Sequence, residues 1–131
     1  MGFLAVILAA LAGFAVGAVW YMSLSGPWLR ATGLPLNDEG KPVSPGSAMP
    51  FVVSGLCMLL VAGMMRHIFA MSGLSGAGTG LVAGLGIGAF MIAPWTAMNY
   101  AYAQRRAMLA VIDGGYAILG CGAIGLVLGL F

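Results

Sequence analysis

The sequence predicts an all-α protein, a four-transmembrane-helix bundle with glycine-rich helix packing, and three observations carry that prediction. Charged side chains make up 6% of the 131 residues, while 62% are apolar. The charges fall between long bare runs: residues 1–29, 42–65, 68–104 and 114–131 contain no Lys, Arg, Asp or Glu. A helix crosses the hydrocarbon core with roughly 20 apolar residues, so these runs supply four crossings. Small residues also recur at four-residue steps within three of the runs. In lipid every backbone polar group must be satisfied within the chain, which leaves helices or a closed barrel. Barrel strands alternate apolar and polar residues over about ten positions; these runs are longer and continuously apolar, so they read as helices.

Taken in order, span one covers residues 2–24 and is expected to stop at Ser25-Gly26-Pro27, where glycine and proline break a helix. It lacks a positive n-region, and its apolar stretch exceeds a signal peptide's h-region of about 7–15 residues, so it reads as a retained span. Residues 28–49 hold Pro35, Pro42, Pro45 and the run Asn37-Asp38-Glu39-Gly40-Lys41. That composition predicts a polar loop with one short interfacial turn. Span two covers 50–71 and ends near Arg66 and His67. The segment Ser72-Gly73-Leu74-Ser75-Gly76 reads as a tight turn into span three, 80–102. Arg105 and Arg106 mark its exit, and span four covers 108–131. The whole of 1–131 forms one membrane domain.

Lys and Arg give the orientation. Arg30, Lys41, Arg105 and Arg106 lie in the first and third loops, against Arg66 alone on the other side. Those two loops are therefore placed in the cytoplasm of a bacterial inner membrane, with both termini on the outer, periplasmic side. Trp20, Tyr21, Trp28, Trp95, Tyr100 and Tyr102 fall near span ends, as interfacial aromatic belts do. A net charge of +2 spread this thinly argues against a nucleic-acid surface.

Close helix approach in lipid depends on small residues, because no hydrophobic force drives helices together there. Gly76, Gly80, Gly84 and Gly88 make such a stripe on span three, Ala5, Ala9, Gly13 and Gly17 on span one, and Ala117, Cys121, Gly125 and Gly129 on span four. Three stripes predict a tight bundle, and also suggest self-association or docking onto a larger complex. Cys57 and Cys121 sit inside apolar runs and read as small packing residues.

The densest polar cluster lies where spans three and four meet. Trp95, Asn99, Tyr102 and Arg106 continue the glycine face of span three at ideal helical spacing. Pro94 removes one backbone bond, frees the carbonyl of Phe90 and predicts a hinge. Asp113 heads the small stripe of span four. An ionisable group in the membrane is a functional hypothesis by default, with Arg105, Arg106, Asn99 and Tyr116 as candidate partners. The same residue could instead cap span four or join a structural salt bridge. His67, with Met64 and Met71 near it in helical spacing, has the chemistry of a copper(I) or haem ligand, but the expected reading is a solvated histidine at a helix end beside methionines that fill apolar gaps. No paired carboxylates, Ser/His/Asp set, Cys/His cluster or phosphate loop is present in the sequence, so no enzyme, metal or cofactor is expected. The absence of an acid in mid-span one separates the chain from small four-helix multidrug exporters.

From span three onward, Trp95, Asn99-Tyr100, Tyr102, Arg105, Leu109, Ile112-Asp113 and Gly115-Tyr116, followed by a glycine-rich helix, resemble a bacterial family of small four-helix membrane proteins, domain-of-unknown-function family 1761. Gly17-Ala18-Val19-Trp20-Tyr21, with Gly26 and Trp28, resembles that family's first-span signature. Two departures stand out. Ala103-Gln104-Arg105-Arg106 occupies a loop that commonly reads Glu-Gly-Arg-Pro, and Asp113 stands where relatives carry Asn. The resemblance implies an integral membrane protein and no particular activity. The expected partners are the lipid bilayer and either further copies of the chain or other membrane subunits. The expected role is structural or interactive, with a small channel or proton-coupled transporter at the Asp113 cluster as the alternative.

Overall fold

The structure is a computed structural model that describes residues 2–39 and 48–131. Gly40, Lys41, Pro42 and Pro45 of the expected first loop lie outside the described residues. The chain folds as α1 (Gly2–Ser23), α2 (Ser25–Thr32), α3 (Met49–Ser72), α4 (Ala77–Ile87), a π-helical segment (Gly88–Ile92), α5 (Ala93–Tyr102) and α6 (Ala107–Leu130). The segments α4, π and α5 run on as one span, Ala77–Tyr102. That span, with α1, α3 and α6, makes four helices long and apolar enough to cross a membrane.

Span one ends at Ser23, as expected, but Ser25-Gly26-Pro27 opens a short helix in place of the expected loop. The break falls at Leu24, with φ −112° and ψ 20°. Helix then resumes as α2 with Pro27 in its first turn, where a missing N–H costs no internal bond. Two helices end on left-handed residues in the Schellman arrangement. At the end of α3, Gly73 has φ 67°, and the Leu74 N–H donates to the Phe69 carbonyl at 3.0 Å. At the end of α5 the left-handed position is held by Gln104, with φ 58°, and the Arg105 N–H donates to the Tyr100 carbonyl at 2.9 Å. A side chain there carries strain that glycine would not.

The centre of the bundle is α6, packed against α1 on one side and against α4, the π segment and α5 on the other, while α3 packs mainly on α1. Ala5 and Ala9 of α1, Ala62, Met65 and Phe69 of α3, and Cys121, Ile124 and Leu128 of α6 form the buried core. Large side chains from α3 and α6 fill the space that alanines on α1 leave open.

The contact between α4 and α6 is made by backbones. A Cβ built on Gly80 would meet the carbonyl oxygen of Gly125, one on Gly84 that of Cys121, and one on Gly88 that of Ala117. Reciprocally, a Cβ on Gly125 would meet the Gly80 carbonyl and one on Gly129 that of Gly76. The Gly76 N–H closes this face with a 3.0 Å bond to the Gly129 carbonyl. The small stripes of spans three and four are thus spent on each other within one chain.

The π segment changes which residues continue that face. Ala93 N–H donates to the carbonyl of Gly88, five residues back, immediately before Pro94, which has no N–H to offer. One extra residue in the turn rotates everything after it by about 100° relative to an unbroken α-helix. The face running Gly80, Gly84, Gly88 therefore continues through Ala93, Thr96 and Tyr100, all at least half-buried in position. Trp95 and Tyr102, expected on that face, are turned outward at 66% and 86% exposure, and Asn99 and Arg106 are exposed with them.

Candidate functional site

Three helices converge on the carboxyl group of Asp113. α6 begins at Ala107, with Arg106 in the cap position, so Asp113 sits well inside the helix and does not cap it. Its Oδ1 accepts from the Tyr21 hydroxyl of α1 at 2.6 Å. Its Oδ2 accepts from the Tyr100 hydroxyl of α5, also at 2.6 Å. Both are at the short end of the range for O–H···O hydrogen bonds. The pair of bonds brings together positions separated by 92 and 13 residues.

Neighbouring residues reinforce this arrangement. Trp20 Nε1–H donates to the Ile112 carbonyl at 2.9 Å, and its ring lies over Gly115, where a Cβ would come within 2.6 Å. The Tyr116 hydroxyl donates to the Gly13 carbonyl at 2.9 Å. The Tyr116 ring fills the space beside Gly17 and Gly120, leaving no room for a Cβ at Gly17. Tyr21 meets the rings of Tyr116 and Trp28 edge-on, at 5.4 and 6.0 Å between centroids, a favoured aromatic geometry. Gly13 in turn lies against Ile124 of α6 and Met58 of α3.

The two arginines expected near Asp113 point elsewhere. Arg105 Nη2 donates to the Thr32 carbonyl at 2.8 Å, and Arg106 Nη1 to the Arg30 carbonyl at 3.1 Å. They tie the loop between α5 and α6 to the end of α2, whose last carbonyls lack helical partners. A salt bridge to either arginine is therefore replaced by two phenol bonds. Of the candidate partners, Tyr116 lies one layer deeper and bonds α1 backbone, while Asn99 and Tyr102 face outward because of the π turn. The sequence places Tyr21 and Tyr100 in the aromatic belts and in the family-like motifs, but not beside Asp113. The signal that could have revealed Tyr100 was Pro94, whose missing N–H allows the change of register; nothing local marks Tyr21.

Chemically, the site is one acceptor-only group between two donors in a half-buried setting. It holds α1, α5 and α6 together near one end of the bundle. Among the described residues no group of three or more His, Cys, Asp or Glu is placed to hold a metal ion, and His67 is exposed on α3.

Residues 4–129 match the model of a family described as "Protein of unknown function (DUF1761)". No curated protein and no solved structure matches the chain.

Proposed function

The chain belongs to the DUF1761 family, proteins of unknown function, and from its geometry we propose a structural or interactive role in a bacterial cytoplasmic membrane. It would serve as a homo-oligomer or as an accessory subunit of a larger membrane complex, and not as an enzyme. The observation that carries this reading is where the polar groups go. Asp113, Tyr21, Tyr100, Trp20 and Tyr116 spend hydrogen bonds on joining one helix to another, and Arg105 and Arg106 on tying the α5–α6 loop to α2. Two hollows along α1 and α3 do not reach Asp113.

The surface offered to a partner is not the glycine face, which is consumed between α4 and α6. It is the outer side of α3, where Phe51, Val52, Leu56 and Leu60 stand out into the bilayer. Gentle extraction and an intact mass spectrum test the proposal. A discrete multiple of the chain mass, or a heavier complex with other polypeptides, is expected. A chain that leaves its native membrane only as a monomer with lipid overturns it.

One observation favours a second reading. A lone carboxylate with two phenols near the end of a bundle is also suited to passing a proton or binding a small cation, as a small channel or proton-coupled transporter would. Proton or cation flux through wild type and Asp113→Asn in proteoliposomes separates the two.

A further inference from the structure

The seam between α1 and α3 is open along its outer side, and its two hollows differ in character. At one end, Gly2, Phe3 and Val6 of α1 and Arg66 of α3 surround a hollow of about 430 Å³. The Arg66 guanidinium folds over the start of α1, with Nε and Nη2 both 3.1 Å from where a Gly2 Cβ would stand. Further along, Ile7, Leu11 and Phe14 of α1 and Gly55, Met58 and Leu59 of α3 wall a trough of about 270 Å³. Its lining is apolar throughout.

Helical phase puts both hollows on one side of the seam. Phe3, Ile7, Leu11 and Phe14 are spaced by four, four and three residues, so they share a face of α1. Gly55, Leu59 and Arg66 are spaced by four and seven and share a face of α3. From Gly55 to Arg66 the helix rises roughly 16 Å, close to half the hydrocarbon thickness of about 30 Å. One leaflet's depth therefore separates the floor of the trough from the guanidinium, which stands near the interface where long basic side chains reach.

We infer that the α1–α3 seam holds a single phospholipid with an anionic headgroup, its phosphate on Arg66 and an acyl chain in the trough. Charge complementarity selects the head: the arginine fork pairs with phosphate oxygens, and an anionic headgroup carries no cation of its own to compete with Arg66 for them. Size selects the tail. The roughly 16 Å from Gly55 to Arg66 matches the depth of one leaflet's acyl chain, and only apolar side chains line the trough. The walls gain from being filled, since an empty hollow forfeits its dispersion contacts. Gly55 creates the depression: a Cβ placed there meets nothing within 4 Å.

Native mass spectrometry of the purified chain titrated with dioleoylphosphatidylglycerol tests this. Wild type is expected to retain one lipid at concentrations where dioleoylphosphatidylcholine does not. Arg66→Gln and Gly55→Leu, one removing the charge and the other filling the trough, should each weaken retention about tenfold. Gly55→Leu projects into open space and should leave the thermal melt unchanged or slightly raised, so its effect on lipid is read in a folded protein. Millimolar inorganic phosphate is expected not to displace the lipid. Equal retention by wild type and both variants overturns the assignment. So does displacement by phosphate alone, which would reassign Arg66 to a free-anion site.

Discussion

Asp113 shows how a residue's role is set by what faces it. A carboxylate in the bilayer is costly unless its oxygens are bonded, and here each receives a phenol at 2.6 Å. Hydrogen bonds to a charged group contribute about 1.5–3 kcal/mol each, less where water reaches them. Tyr21→Phe and Tyr100→Phe should therefore each lower stability by about 1.5 kcal/mol. Asp113→Ala, which strands both phenols, should cost about 3 kcal/mol, and Asp113→Asn, which keeps one carbonyl acceptor, about 1 kcal/mol. Thermal melts in one detergent measure all four. The same Asp113→Asn protein, reconstituted in proteoliposomes beside wild type, separates the two functional readings. A clamp predicts no proton or cation flux from either; a carrier predicts flux in wild type that the variant lacks. The carboxylate itself was legible in the sequence, since a lone acid beside a long apolar run is conspicuous. Its partners were not. Tyr21 lies 92 residues away and is spelled like any belt tyrosine. The arginines that looked nearest in sequence are drawn to the free carbonyls ending α2.

At the scale of elements, the span Ala77–Tyr102 carries two periodicities joined by a π turn. Up to Gly88 the four-residue glycine step holds, and backbone contact with α6 follows from it. Beyond Pro94 the phase shifts by one residue, which is why Tyr100 reaches Asp113 and Tyr102 does not. A run of apolar letters records helix and length but not an inserted residue, so an unbroken register placed Trp95, Asn99 and Tyr102 on the wrong side. The glycines make a test with an internal control. A Cβ at Gly84 meets the Cys121 carbonyl, whereas one at Gly86, two residues on, meets nothing within 4 Å. Gly84→Ala should push α4 and α6 apart and cost about 2–3 kcal/mol, in the range of overpacked cores. Gly86→Ala should be neutral or stabilising by up to about 1 kcal/mol, the ordinary gain of alanine over glycine in a helix. Equal melts for the two would mean that the contact between α4 and α6 yields readily. Because this contact is internal, Gly84 variants report on folding of the chain and not on association between copies.

For the molecule as a whole, the fold was legible because the bilayer imposes it. Charge-free runs of sufficient length leave few alternatives to spanning helices, and the four candidate spans begin and end within a few residues of the expected positions. The short helix α2 was not, since Ser-Gly-Pro reads as a stop unless the proline falls in a first turn. Charge asymmetry predicts a global property that the packing leaves open, the direction of insertion. Hydrogen bonds from Arg105 and Arg106 to the end of α2 gather Arg30, Arg105 and Arg106 at one end of the bundle, and Arg66 stands on α3 toward the other. Short loops rich in Lys and Arg stay cytoplasmic, so that end should face inward and the turn between α3 and α4 outward. Single cysteines at Ala103 and at Ser75, each exposed, read this directly with a membrane-impermeant maleimide. The native Cys57 and Cys121 lie within spans, away from an aqueous reagent. In intact cells Ser75→Cys should label and Ala103→Cys should not; after the membrane is opened both should. Labelling of Ala103→Cys from outside would invert the orientation and place the Asp113 site toward the outer leaflet.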